Sequence, residues 1–347
     1  MILVSGYYGF DNLGDEAILA TLCDDLASLG VPRQEIVVLS NNPLQTEKQL
    51  GVTAIPRYDL RQIWSRLGTA RLFISGGGSL LQDVTSKRSI PYYLGSVELA
   101  FIRHVPVVMY GQGLGPVQSS LFRSWIARAF RGSVACSVRN AGSRQFLVDL
   151  NVSADKIELC ADPVFQHRLV ESGGAKSGRI LLNLRPYQGW QMQQELWLDQ
   201  VFSWQKQGFS VEFLPLGPGD LAMGHVLQER SSNLKVHQTI TLETLGEVFF
   251  GARFFVSMRL HGLIFSALHD CQPIGLNYDP KVAAISQQLR IPYWELKDVR
   301  DLGLGIDQVL QSAEQHRLDY RLALEDLRYA ALKNRAMLAQ VLSVVLR

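Results

Sequence analysis

Ile2-Leu3-Val4-Ser5 runs straight into Gly6-Tyr7-Tyr8-Gly9-Phe10-Asp11-Asn12-Leu13-Gly14-Asp15-Glu16, and this junction decides the fold. A short apolar run with β-branched members, closed by glycine, has the pattern of a buried strand. The residues from Asp15 to Leu29 follow an amphipathic helical pattern. Strand, glycine turn and helix in that order form the opening of a crossover unit, which belongs to parallel sheets covered on both faces.

The pattern recurs along the chain. Ile36 to Leu39, Leu72 to Ser75, Val105 to Tyr110 and Val134 to Val138 are further expected strands, with helical patterns over Ser119 to Phe130 and Ala141 to Leu150. From Gln166 to Gly178 the composition is that of a linker, rich in Gly and Ser. The alternation then restarts, with strands expected over Ile180–Leu184, Val211–Leu214, Phe254–Ser257 and Pro273–Leu276. Helices are expected over Leu196–Gln207, Leu242–Gly251, His261–His269 and Lys281–Leu289. The expected fold class is therefore α/β, with two Rossmann-like domains and parallel sheets, at 1–168 and 178–310, followed by an amphipathic helix over 317–347. In such folds ligands sit at the carboxyl ends of the strands, and a cleft between domains is a favoured site.

Bulk properties narrow the class. The 347 residues are 47% hydrophobic and 19% charged, ample for two cores and unlike a disordered chain. A net charge of +2 argues against broad nucleic-acid binding and leaves room for local basic pockets. The four cysteines, Cys23, Cys136, Cys160 and Cys271, have no CxxC spacing and suggest buried thiols in a reducing compartment. No signal-peptide pattern and no apolar run of membrane-spanning length is seen, so a cytoplasmic protein is expected. The helical tail carries the stripe Leu324, Leu327, Ala331, Leu338, Val341, Leu342 and Val345, with Arg321, Arg328, Lys333 and Arg335 mostly elsewhere. Packing against a domain is the plain reading of that stripe, and peripheral membrane contact is the other.

Three glycine clusters outline a polar pocket in the first half: Gly6 to Gly14, Gly76-Gly77-Gly78, and Gly111-Gln112-Gly113-Leu114-Gly115 after the strand expected to end at Tyr110. The first precedes a helix whose N-terminus could receive an anion, although Asp15 could equally be a first-turn cap. Thr85-Ser86-Lys87-Arg88 adds hydroxyls and cations. Substrate-binding candidates are Gly9, Asn12, Asp15, Gly76, Gly77, Gly78, Arg88 and Gln112, with Arg185 in the second half. The sharpest cluster is Ser257-Met258-Arg259-Leu260-His261-Gly262, at a strand end and a helix start. Arg259 and His261 are two apart and would share a side on extended backbone. Arg139 is a further strand-end arginine. Arginine forks suit carboxylate and phosphate, so these groups fit a small dianion, although strand-end arginines also form ordinary ion pairs. No metal-ligand spacing, P-loop or GxSxG elbow occurs, so no metal or cofactor is expected.

Taken together, GYYGFDNLGDEAIL, SGGGSLLQD, GQGLGP, SVRN, ADPVF, SMRLHG and the closing Tyr278-Asp279-Pro280-Lys281-Val282 resemble the polysaccharide pyruvyltransferase family, specifically its CsaB-type bacterial members. The resemblance implies a fold like that of GT-B glycosyltransferases; the first domain is expected to be the acceptor side and the second the donor side. It implies transfer of pyruvyl from phosphoenolpyruvate to a sugar as a cyclic ketal, with phosphate released. The family's arginine and histidine correspond to Arg259 and His261, and a first-domain arginine to Arg139, as the catalytic set. The implied acceptor is an N-acetylmannosamine-containing wall saccharide; a lipid-linked form would suit the basic tail. A nucleotide-sugar glycosyltransferase of the same architecture is the alternative.

Overall fold

In the computed structural model the described residues are 1–84, 88–167, 178–296, 307–309, 311 and 313–345. The chain divides into two compact units, Met1–His167 together with Arg328–Arg347, and Arg168–Leu327. Most of the expected Gln166–Gly178 linker and the Thr85–Lys87 stretch lie outside the described residues.

The N-terminal unit contains β1 (Ile2–Ser5), α1 (Leu13–Ser28), β2 (Ile36–Ser40), α2 (Pro43–Leu50), β3 (Thr53–Pro56), α3 (Leu60–Leu67), β4 (Leu72–Ser75) and β5 (Gly78–Leu81). It continues through α4 (Ser89–Ile102), β6 (Val107–Leu114), α5 (Ser120–Gly132), β7 (Ala135–Val138), α6 (Ala141–Asp149) and β8 (Ile157–Leu159). The sheet runs β3-β2-β1-β4-β6-β7-β8, with β5 paired to β6, and its ladders are parallel. Strand order reverses between β1 and β4, so the turns after these two strands flank the switch point, where open α/β sheets bind ligands.

The C-terminal unit repeats the plan with β9 (Arg179–Asn183), α7 (Trp190–Lys206), β10 (Ser210–Phe213), α8 (Asp220–Gln228), β11 (Lys235–Val236) and α9 (Leu245–Phe249). There follow β12 (Phe254–Ser257), α10 (Leu260–Leu268), β13 (Gln272–Asn277), α11 (Pro280–Gln288) and β14 (Tyr293–Glu295). Its parallel order β11-β10-β9-β12-β13-β14 puts the switch between β9 and β12.

Each unit has its own core. In the first, Leu3, Val37, Phe73 and Met109 of the sheet meet Ile90, Leu94 and Val97 of α4. In the second, Leu182, Val211, Phe254 and Ile274 meet Trp197 and Trp204 of α7. Strands buried on both faces explain why their sequences are unbroken apolar runs rather than alternating ones. The four cysteines are buried, and burial pushes the Cys23, Cys136 and Cys160 thiols up to about 12.

The tail helix α12 (Ala313–Val345) turns its stripe into the protein: Leu324, Ala331, Leu338 and Leu342 are all under 10% exposed. These four side chains are packed against the protein, as the packing reading expects, while Leu322, Tyr329 and Val344 of the same helix are exposed. Asn334 on the same face is fully buried; it accepts from Ser137 Oγ (2.7 Å) and donates to the Ala161 carbonyl (3.0 Å). Among the described residues no helix is long and apolar enough to cross a membrane.

The glycine cluster after Tyr110 is not a loop. β6 continues through Gly111-Gln112-Gly113 to Leu114, because β5 supplies it with a parallel partner at Gly78↔Gln112 and Leu81↔Leu114. Gly111 sits at the irregularity in the β6–β7 ladder with φ +57°, and a Cβ there would lie 2.7 Å from Pro163.

Candidate functional site

The glycine turn after β1 is shaped by its own tyrosine. Tyr8 is fully buried and its ring folds back beneath the loop. A Cβ on Gly6 would lie 2.2 Å from the ring, and one on Gly76 would lie 2.0 Å from the phenol oxygen. Two of the expected ligand-approach glycines thus make room for a side chain, and Gly77 and Gly78 make room for the Gly111 carbonyl and Asp15. Burial, and next the Asp15 charge, push the Tyr8 phenol above its ordinary range. Gly9, at φ +74°, packs against Ser40 and the Asn42 amide, where any side chain would collide.

Glu16 closes this loop by accepting the Gly9 N–H at 2.8 Å. Burial pushes its carboxyl up to about 7, against the pull of that hydrogen bond. Asn12 is the N-cap residue of α1 and Asp15 is buried in its first turn. Of the two sequence readings of this helix start, an anion seat or an acidic first-turn cap, the geometry bears on the second. Asp15 and Glu16 occupy the first turn, where acidic groups favour the positive end of the dipole.

Gln112 is fully buried, donating to the Ser75 and Gly76 carbonyls (3.1 and 2.5 Å), and so ties β6 to the turn after β4. Arg88 is exposed and stands at the N-cap position of α4, with no capping bond from its side chain. Arg139 is 4% exposed; it donates to Asp162 Oδ2 at 2.5 Å and to Ser79 Oγ at 2.8 Å. Against the expected open fork, its terminal nitrogens are engaged within its own unit, holding β5 to the Asp162 turn. Asp162 was present in the quoted ADPVF stretch, yet nothing in its spacing marked it as the partner of Arg139.

In the C-terminal unit the strand ends nearest the switch carry the cations. Arg259 is the N-cap residue of α10, with φ −97° and ψ 125°, and His261 stands in the first helical turn. The strand-alternation argument for this pair therefore fails: the helix begins at Leu260, so the two side chains are related by a helix start instead. Arg259 donates through Nε and one terminal nitrogen to Asp220 Oδ2 and Oδ1, at 2.6 and 2.5 Å. Asp220 is fully buried and also accepts from Asn183 Nδ2 (2.9 Å) and the Leu216 amide (3.0 Å). Gly217 leaves the space for the guanidinium, since a Cβ there would lie 2.7 Å from its central carbon. The other terminal nitrogen of Arg259 has no hydrogen-bond partner among the described residues.

Arg185, just past β9, donates to the Tyr278 hydroxyl and lies over its ring at 4.9 Å, while its backbone amide meets the Met258 sulfur. Lys281 lies over the same ring at 5.6 Å. The ends of three neighbouring strands, β9, β12 and β13, thus gather Arg185, Arg259, His261 and Lys281 on one sheet edge. Unlike α1, α10 has no acidic residue in its first turn. Asp220 and Tyr278 went unrecognised as site members; the Gly217-Pro218-Gly219 turn before an acidic helix start was the available signal for the first.

Known structures share this fold. The UDP-GlcNAc 2-epimerase from Neisseria meningitidis bound to UDP-GlcNAc is 12% identical, with a TM-score of 0.66 over 99% of this chain and 100% of that one. MnaA of S. aureus with UDP is 9% identical at a TM-score of 0.69 over 98% and 95%. Anabaena Alr3699/HepE with UDP is 10% identical at 0.63 over 99% of each chain. At these identities the likeness shows the architecture, GT-B-like with two Rossmann-like domains, and nothing of the reaction. No curated protein matches the chain in sequence. Residues 12–280 match the profile described as polysaccharide pyruvyl transferase, and the chain belongs to that family.

Proposed function

We propose that this enzyme transfers the pyruvyl group of phosphoenolpyruvate to two hydroxyls of a wall-polysaccharide sugar as a cyclic ketal, in the manner of the CsaB-type members. The observation that carries the reading is the contrast between the two switch points. The α10 start has Arg259 as its N-cap residue and no acidic residue in its first turn, and Arg185 and Lys281 lie over the Tyr278 ring at the neighbouring strand ends, a set that suits a compact dianion. The α1 start, with Asp15 and Glu16, suits an uncharged polyol.

The chemistry follows from these groups. His261 delivers a proton to the methylene carbon of the enol, leaving an oxocarbenium-like C2. A sugar hydroxyl adds to C2 and loses its proton; the C2–O bond to phosphate then breaks, with the electron pair leaving on phosphate. The second hydroxyl closes the ring and gives up its proton. Two hydroxyl protons are released and one is consumed at the methylene carbon, so the remaining one ends on phosphate. Arg259 and Arg185 stabilise charge as phosphate departs, and Arg139 acts as a positioning residue for β5 through Ser79 and Asp162.

The test is incubation with phosphoenolpyruvate and an N-acetylmannosamine glycoside, following phosphate release and the mass of a pyruvyl ketal on the glycan. UDP release from a UDP-sugar, without phosphate from phosphoenolpyruvate, would instead establish a glycosyltransferase. Replacing His261 by Ala is expected to lower kcat by about a hundredfold or more.

A further inference from the structure

Arg57, directly after β3, is 4% exposed, yet no carboxylate pairs with it among the described residues. Its terminal nitrogens donate to the Gly6 carbonyl (3.2 Å) and the Tyr93 hydroxyl (3.3 Å), and its Nε has no partner among the described residues. Four rings surround the guanidinium carbon: Tyr92 at 4.2 Å, Phe10 at 4.9 Å, Tyr58 at 5.2 Å and Tyr93 at 5.5 Å from centroid. A buried cation is costly unless something replaces its water, and here π faces do much of that.

The cation also fixes the rings. Tyr92 meets Tyr58 and Tyr93 edge-on, at 5.3 and 5.0 Å, and its hydroxyl donates to the Arg57 carbonyl at 2.8 Å. Phe10 stacks on Tyr7 at 4.1 Å. Tyr58 is nevertheless 67% exposed, so most of its ring meets solvent although one side is held. The cluster sits at the carboxyl ends of β1 and β3, on the ligand-binding edge of the sheet. Beside Phe10 in the chain, exposed Asp11 accepts from Gln45 Nε2 at 3.0 Å, giving the rim hydroxyl-binding groups.

We propose that Tyr58, with Tyr92 and Phe10 behind it, is a stacking subsite for a pyranose ring of the acceptor saccharide, and that Arg57 is its positioning residue. The choice of ligand rests on the proposed function. A pyranose presents a face of C–H groups carrying partial positive charge, which is complementary to the negative face of an aromatic ring. Its hydroxyl edge finds Asp11 and Gln45. Because the ring is held in advance, stacking sacrifices little side-chain freedom.

Saturation-transfer NMR on the full chain, with methyl glycosides of N-acetylmannosamine, N-acetylglucosamine, glucose and galactose and no phosphoenolpyruvate, tests this. Saturation of at least one glycoside is expected, falling at least fivefold in Tyr58→Ala and persisting in Tyr58→Trp. Tyr58→Gln repeats the test with a side chain of similar reach, should the Ala variant melt early. Equal saturation in wild type and the Ala and Gln variants, or none with any glycoside, overturns the subsite. This readout needs no catalysis, so absent pyruvyl transfer would count against the proposed reaction and leave the subsite to its own test.

Discussion

Asp220 and Arg259 form a two-pronged ion pair at 2.6 and 2.5 Å in which the carboxylate is fully buried and the arginine side chain is 12% exposed. Thirty-nine residues separate them, yet Asp220 fixes the fork against the β9–β12 switch by also accepting from Asn183 and Leu216.

Removing the carboxylate from that pair strands a buried cation. Asp220→Ala is expected to destabilise the C-terminal unit by about 3–5 kcal/mol, read by urea denaturation. Arg259→Lys keeps the charge but loses the fork, and a fall in kcat with little change in urea midpoint is expected. A midpoint shift as large as that of Asp220→Ala would make Arg259 structural only.

Tyr8 and the glycines above it should behave as one unit. Its phenol oxygen has no hydrogen-bond partner among the described residues, so Tyr8→Phe is expected to be neutral or slightly stabilising. Gly76→Ala drives a methyl against that oxygen and should cost about 1–3 kcal/mol or more. Combining it with Tyr8→Phe should restore part of the loss. Gly6→Ala meets the ring itself and should gain no such rescue. Melting temperatures of the three single variants and the two double variants decide this.

Glu16 gives stability a pH slope. Burial raises its carboxyl from an ordinary 4.5 to about 7, so between these values the folded chain holds a proton that the unfolded chain has lost. The contribution is full below about pH 4.5 and is lost as pH rises through about 7. Because the side chain is partly accessible, the loss is about 1–3 kcal/mol. Glu16→Gln keeps an acceptor for the Gly9 N–H and cannot ionise; its Tm is expected to match wild type near pH 5 and exceed it at pH 8. Equal slopes in both proteins would contradict this.

Asn334 anchors the tail helix. Asn334→Ala leaves the Ser137 hydroxyl and the Ala161 carbonyl without this partner in a buried site, and about 2–4 kcal/mol of destabilisation is expected by thermal unfolding. No change would mean that the tail contributes through its apolar stripe alone.

The strands that form the centres of both sheets were legible because burial on two faces demands unbroken apolar runs. β1, β2, β4, β9 and β12 were all located to within a residue or so. β3, only Thr53–Pro56 and ending in proline, and β11, only Lys235–Val236, were not: such edge strands lack the composition of a buried run. β6 was cut short at Tyr110 because glycine suggests a turn; its continuation depends on β5, a partner invisible to local pattern.

The sequence by itself determined an α/β chain of two Rossmann-like halves, and it marked Arg259 and His261 at a strand-to-helix junction, since hydrophobic period and glycine placement are local properties. Tertiary structure decided what each charged or aromatic group faces: Asp220 for Arg259, Asp162 for Arg139, a ring of tyrosines for Arg57, and Tyr8 in the hollow left by Gly6 and Gly76. Crossover connections make neighbours of strand ends that lie tens of residues apart, and a side chain's partner is chosen by that adjacency and by the need to satisfy charge away from water.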